Sequence, residues 1–367
     1  MSSTDSRIPV SVITGFLGAG KTTLLSALLK HPEMRRTAVI INEFGEIGLD
    51  HDLVETSDET IVEVNGGCLC CTVRGDLARA IKKLNIQRIK GEVQEFDRIV
   101  VETTGLADPA PILQTLALDP VMEHDFRLEG VVTLVDGVNG MSTLDRQIEA
   151  VKQAAVADRI IVTKADLAGD SELAPLERRL RSLNPAAALL RVVQGGVSPD
   201  RLFDAGPWDA RTKSADVERW LNEAAVAEHG HHHHHPPNHG HVHHDVEEPH
   251  GHDVNRHDDR IHAFCLRRPE AIPRAAVAMF LDLLTAHRGD DLLRVKGILR
   301  IAEEPERPLV IHAVQHVVHE PIELDRWPSA DRDSRLVFIT RDIPQESVVK
   351  LWDAMTTAFA AGMFDDK

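Results

Sequence analysis

The chain has 367 residues, 43% of them hydrophobic, and a formal net charge of −17. That length suits about two domains, and the negative charge argues against general binding of nucleic acid or of an anionic membrane. No stretch approaches the roughly 20 apolar residues that span a bilayer, and the opening Met1–Arg7 lacks the apolar core of a secretory signal. A soluble, cytoplasmic protein is expected.

In chain order, β-branched runs predict strands at Val10–Thr14, Thr37–Ile41, Thr60–Val64, Arg98–Val101, Gly130–Val135, Arg159–Val162 and Ala188–Val192. Helical patterns fall between most of them, at Lys21–Leu29, Gly75–Leu84, Ala110–Leu118, Leu144–Ala157 and Glu172–Leu183. Strands that are apolar throughout and separated by helices imply an α/β domain, with a mostly parallel sheet covered on both faces, over residues 1–228. Residues 229–262 then hold 14 histidines, among them the run His231–His235, with little apolar surface to bury. Such composition reads as a disordered linker over residues 229–259. Its imidazoles can act as a weak metal antenna. Residues 260–367 form a smaller α+β domain in this reading. Strands are predicted at Ile261–Leu266, Leu292–Ile301, Leu309–Val318 and Ser334–Thr340, and helices at Ala271–Leu284 and Ser347–Phe359, giving an antiparallel sheet with helices on one face.

Gly15-Phe-Leu-Gly-Ala-Gly-Lys-Thr22 matches G-x-x-x-x-G-K-[ST] in full, after an apolar strand and at the start of a helix. In that setting the loop N–H groups and the helix N-terminus meet a phosphate chain. Lys21 then reaches the β- and γ-phosphates, and the Thr22 hydroxyl binds Mg²⁺. Gly15, Gly18, Ala19, Gly20, Lys21, Thr22 and Thr23 are the candidate phosphate-binding residues. Downstream, an apolar strand ends at Glu102, in Glu102-Thr-Thr-Gly105, where a carboxylate can hold the magnesium ion through water or orient an attacking water. Lys21 and Glu102 are therefore the catalytic candidates. Base choice points to Thr163-Lys-Ala-Asp166. Asp166 can accept from both N1–H and the exocyclic amine of guanine, and the stem of Lys164 can lie across the base. Thr163 stands where the familiar motif has asparagine, which removes an amide that would read the base and brace the loop.

Three of the four cysteines crowd into one loop, Asn65-Gly-Gly-Cys68-Leu-Cys70-Cys71. In a reducing compartment that crowding points to metal binding or redox chemistry rather than a disulfide framework. Three thiolates supply most of a tetrahedral Zn²⁺ site, with a fourth ligand from elsewhere or a position left open, and Cu(I) or Co²⁺ suit the same donors. Cys265, His312 and His316 read as structural residues.

With these motifs together, the sequence resembles the CobW-like family of P-loop metallochaperone GTPases. The resemblance is carried by Gly15–Thr22, Asn42–Glu46, Gly67–Cys71, Glu102–Pro109 and Thr163–Asp166, and in the second domain by Leu292–Gly297 and Ser334–Thr340. It implies a P-loop NTPase domain that hydrolyses GTP with Mg²⁺ and loads Zn²⁺, or in some branches Co²⁺, into a client metalloprotein. It also implies that Asn42–Glu46 belongs to the nucleotide-responsive switch and that Glu46 neighbours the metal. The alternatives are a cobalt-handling GTPase linked to cobalamin synthesis, a nucleotide-binding metal store or sensor with little turnover, and a P-loop kinase.

Overall fold

A computed structural model describes residues 6–42, 61–63, 72–203 and 260–361. The first unit is built on a seven-stranded sheet in the order β3-β2-β4-β1-β5-β6-β7. Its strands are β1 (Ile8–Gly15), β2 (Thr37–Asn42), β3 (Ile61–Glu63), β4 (Arg98–Thr103), β5 (Phe126–Asp136), β6 (Arg159–Thr163) and β7 (Ala188–Arg191). Every neighbouring pair is parallel. Consecutive parallel strands need crossovers, and helices supply most of them. They are α1 (Lys21–Leu29), α2 (Thr72–Ile89), α3 (Ala110–Leu118), α4 (Pro120–Asp125), α5 (Gly140–Arg146), α6 (Ile148–Val156) and α7 (Asp170–Leu183). Because helices cover both faces, the central strands β1, β4 and β6 are buried along nearly their whole length.

The single helix expected over Leu144–Ala157 is two. Gln147 adopts an extended backbone, with φ −125 and ψ 106, which closes α5 and opens α6 in a new direction. The redirected helix turns Ala150, Val151, Ala154 and Ala155 into the core.

The C-terminal unit is an antiparallel sheet in the order β11-β10-β9-β13-β8, with β12 paired to β10. Its strands are β8 (Ile261–Arg268), β9 (Leu292–Leu299), β10 (Leu309–Val314), β11 (Val317–Val318), β12 (Ile322–Glu323) and β13 (Ser334–Arg341). The run Leu309–Val318, expected as one strand, is a hairpin that reverses at Gln315, φ +51. That turn is why His316 lies outside the strands, bonded instead to the Thr285 carbonyl and to Asp290. The helices α8 (Arg274–Arg288) and α9 (Gln345–Ala360) cover one face, where Phe280, Phe338 and Trp352 stack edge to face.

The opposite face of this sheet lies against the first unit. Ile261, Leu293 and Ile339 join the core formed by α5, α6 and α7, and Val314 joins the core beside α3. At the centre of this contact Arg294 and Lys296 of β9 meet the buried carboxylate of Asp158, just before β6. Burial opposes the Asp158 charge, but the fields of the two cations overcome it and hold the carboxyl far below its ordinary range. Burial pushes Lys296 down to about 8, because one carboxylate does not compensate two cations.

Candidate functional site

The carboxyl ends of β1, β4, β5 and β6 converge, as expected where an open parallel sheet binds ligands. From β1 the chain enters the 15–20 loop, which ends at Gly20 with φ +89. An L side chain rarely adopts that conformation, and a glycine there lets the loop close directly onto α1. Gly20 caps α1 with no side-chain hydrogen bond. The first-turn N–H groups are thus offered to an anion rather than consumed by a capping oxygen. Lys21 is buried and folds back over the loop, donating to the Gly15 carbonyl at 2.9 Å and the Phe16 carbonyl at 3.4 Å. Ala19 is buried inside the loop, whereas Gly18 and Thr23 are exposed.

Glu102 is buried near the end of β4, with its Oε1 3.4 Å from the Thr22 hydroxyl, which donates to it. The first turn of α1 and the end of β4 therefore bring a hard hydroxyl and a carboxylate, 80 residues apart in sequence, to one point. That donor pair fits a magnesium ion. Thr103 in turn donates to the Thr14 hydroxyl at 2.8 Å, locking β4 to β1 beside the pair.

The 163–166 turn, the candidate for base recognition, is tied to the 15–20 loop. Thr163 donates to the Ala19 carbonyl at 2.8 Å and to the Val135 carbonyl at 3.3 Å. The brace expected to be lost with the missing amide is thus supplied by a hydroxyl. Lys164 follows in the left-handed region, φ +54, and its ammonium donates to Asp136 at 2.7 Å. Asp136 also accepts from the Val138 and Asn139 amides at 2.8 and 3.1 Å. Burial works against its charge, but Lys164 and these amides outweigh it and hold the carboxyl below its ordinary value. Asp166 projects from the exposed turn after β6. A cavity of about 270 Å³ lies beside the loop, lined by Phe16, Leu17, Asp136, Asn139, Gln153 and Lys164 among others.

Gly15, Gly18, Ala19, Gly20, Lys21, Thr22, Thr23, Glu102, Thr163, Lys164 and Asp166 thus gather at one end of the sheet. Asp136 was not anticipated, although an aspartate closing the apolar run Gly130–Val135 was a visible signal. Glu46, Cys68, Cys70, Cys71 and the histidine-rich segment lie outside the described residues. Among the described residues, no group of three His, Cys, Asp or Glu side chains could hold a metal ion, and no helix is long and apolar enough to cross a membrane. The sheet register nevertheless places Glu63, the last described residue before the cysteines. Ile41 pairs with Glu102 on one side and with Glu63 on the other. At about 4.8 Å per strand, Glu63 at the end of β3 lies roughly 10 Å from Glu102, at the same level of the sheet.

Comparison with known proteins agrees with this geometry. Residues 9–191 match the family model described as CobW/HypB/UreG, nucleotide-binding domain, and residues 261–356 match that of the cobalamin synthesis protein cobW C-terminal domain. The chain is 32% identical over 342 residues to the zinc chaperone YjiA of Escherichia coli K12, covering 93% of this chain and 96% of that one. It is 28% identical over 376 residues to the zinc chaperone CobW of Pseudomonas aeruginosa, covering 94% and 90% respectively. The crystal structure of Zn(II)-bound YjiA GTPase from E. coli superposes with a TM-score of 0.66 at 27% identity, covering 95% of this chain and 99% of that one.

Proposed function

The chain belongs to the CobW family, and from that premise we propose that it is a GTP-hydrolysing metallochaperone, which binds zinc at Cys68, Cys70 and Cys71 and passes it to a client protein. The observation that carries the nucleotide half is the convergence of Lys21, Thr22, Glu102 and the Thr163–Ala19 brace at one sheet end. The metal half is supported by the thiol-rich loop, by its departure from β3 level with Glu102, and by the names of the relatives.

Each group has a role in this reading. Lys21 exchanges the Gly15 and Phe16 carbonyls for phosphate oxygens, and α1 presents its first-turn amides to them. Thr22 and Glu102 would hold the magnesium ion, which neutralises charge developing on the phosphates. Glu102 also orients the attacking water. Asp166 selects guanine, and Lys164, drawn toward Asp136, lays its stem along the base. Lys21 and Glu102 are the catalytic residues. Gly15, Gly18, Ala19, Gly20, Thr22, Thr23, Thr163, Lys164 and Asp166 bind the nucleotide.

The cargo is coupled through the edge of the sheet. Asn42 closes β2 beside Thr103, so a change at the γ-phosphate reaches the start of the switch-like 42–46 segment and the thiol loop together. GTP holds Glu46 and the three cysteines around the metal, and hydrolysis releases it to the client. Residues 1–228 carry this chemistry, residues 229–259 form a histidine-rich tether that buffers metal, and residues 260–367 form the second domain. The protein works in the cytoplasm.

Zinc titration with a non-hydrolysable GTP analogue and with GDP tests the reading. Tighter zinc binding in the analogue state is expected, and by linkage zinc must tighten analogue binding by the same factor. Equal zinc affinity in both states overturns the coupling. The description of the second family model, a cobalamin synthesis protein, favours cobalt as a second cargo. Competition between Co²⁺ and Zn²⁺ at the three-cysteine loop decides between them.

A further inference from the structure

After Glu102 the chain crosses in front of the phosphate loop. Gly105 passes so close to Leu17 that an added Cβ would lie 2.7 Å from its backbone nitrogen. Any residue but glycine would push the two loops apart. The crossing is held from behind by α6. Gln153, wholly buried, donates its amide to the Gly105 carbonyl at 3.2 Å and to the Ala107 carbonyl at 2.9 Å. Its neighbour Lys152 donates to Asp108 at 2.9 Å, and the other oxygen of Asp108 accepts from the Ala110 amide at 3.1 Å. A buried primary amide costs desolvation unless its hydrogens are used. Here both are spent on one short segment, work that an apolar side chain filling the same space could not do.

The far end of α6 is clamped as well. The last carbonyls of a helix lack partners within it. The Gln153 carbonyl accepts from Thr133 at 2.7 Å, and those of Ala154, Ala155 and Ala157 accept from Asn184 at 2.9, 3.0 and 2.9 Å. The carbonyl of Val156 accepts from Arg294 of the C-terminal sheet. Only about 4.5 Å of helix separates the backbone that Arg294 holds from the residue that grips the 105–107 crossing.

We infer that Gln153 is a positioning residue for the segment that follows Glu102, and that through α6 it relays the seating of the C-terminal sheet to the nucleotide site. This rests on the GTPase reading above. The hydrolytic step needs Glu102 and the crossing in one place, whereas nucleotide binding draws mainly on the 15–23 loop and the 163–166 turn. The relay therefore acts on turnover rather than on affinity.

The test is single-turnover GTP hydrolysis and guanine-nucleotide binding on the full chain, with Gln153→Met as a near-isosteric variant lacking the amide. The hydrolysis rate should fall about tenfold, the size of one net hydrogen bond, while nucleotide affinity changes less than about twofold. Hydrogen exchange at residues 105–108 should quicken in Gln153→Met and also in Arg294→Met, a response that packing alone would not produce. If Gln153→Met does not fold, Lys152→Met, which loses only the Asp108 contact, should give the same pattern in weaker form. Unchanged hydrolysis in a folded Gln153→Met variant overturns the positioning role. Unchanged exchange in Arg294→Met overturns the relay. Absence of GTP turnover in the unsubstituted chain would overturn the GTPase reading itself, and this inference with it, a result the control separates from the other two.

Discussion

Thr163 donates its hydroxyl to the carbonyl of Ala19 across 2.8 Å, joining residues 144 positions apart. The first residue of the 163–166 turn therefore ties it to the 15–20 loop, joining the two segments proposed to bind the base and the phosphates. The Ala19 backbone is packed inside the loop beside Gly20, so its carbonyl loses a partner if the hydroxyl is removed. Thr163→Val keeps the shape of the side chain and removes only that donor. Guanine-nucleotide affinity should fall about tenfold, from the roughly 1–3 kcal/mol cost of an unpaired buried acceptor. Binding of a fluorescent GDP analogue measures it, and unchanged affinity would show that the brace is dispensable.

Glu102 and Asp166 should separate chemistry from recognition. Glu102→Gln keeps the size of the side chain and removes the charge, so the hydrolysis rate should drop about a hundredfold. GTP binding should persist. Asp166→Ala should instead erode the preference for GTP over ATP by tenfold or more, since hydrogen bonds to a charged acceptor are worth roughly 1.5–3 kcal/mol. Phosphate release with each nucleotide checks both expectations.

The contact between the two units has a stability of its own. Asp158→Ala leaves Arg294 and Lys296 buried without their carboxylate, which should cost about 3–5 kcal/mol and lower the melting temperature. Thermal unfolding by circular dichroism reads this directly. A loss of less than about 1 kcal/mol would mean that water reaches the cations in solution.

Acid should loosen the same contact before its carboxylate titrates. His312 and His319 stack with ring centroids 4.7 Å apart in this interface. Burial, with Arg294 nearby, pulls His319 from 6.5 down to about 3, and pulls His312 well below 6.5. Both are neutral in the folded chain at neutral pH. Once pH drops below 6.5 the unfolded chain binds protons that the folded chain refuses, so stability falls with pH toward about 3. The slope is about 1.4 kcal/mol per pH unit for each histidine. Asp158 adds its loss only below 3.8, since its folded value is depressed. Denaturant melts of His319→Gln between about pH 6.5 and pH 4 should show a shallower slope than the parent chain. Equal slopes would place the titration elsewhere.

The sequence made the sheet legible because β1, β4 and β6 each carry a run of consecutive apolar residues instead of an alternation, the pattern of a parallel sheet covered on both faces. The loop at Gly15–Thr22 was equally plain, since its spacing encodes its geometry. What stayed hidden depends on contacts distant in sequence. Nothing near Gln153 signals that it faces Gly105, and nothing near Arg294 signals Asp158, which lies 136 positions away. The break at Gln147 was missed for another reason. The apolar period continues through it, and only the backbone reversal separates the two helices.

Strand order sets how far the end of β3 stands from each half of the proposed nucleotide site. From β3 to β6 there are five strand spacings, about 24 Å, whereas β4 stands only two away. On the proposed function, a guanine read at the 163–166 turn would be remote from the end of β3, while a terminal phosphate beside Glu102 would be near it. Release of metal would then follow the phosphates and not the identity of the base, so that selectivity for guanine and release of metal would be separable properties, open to alteration one at a time.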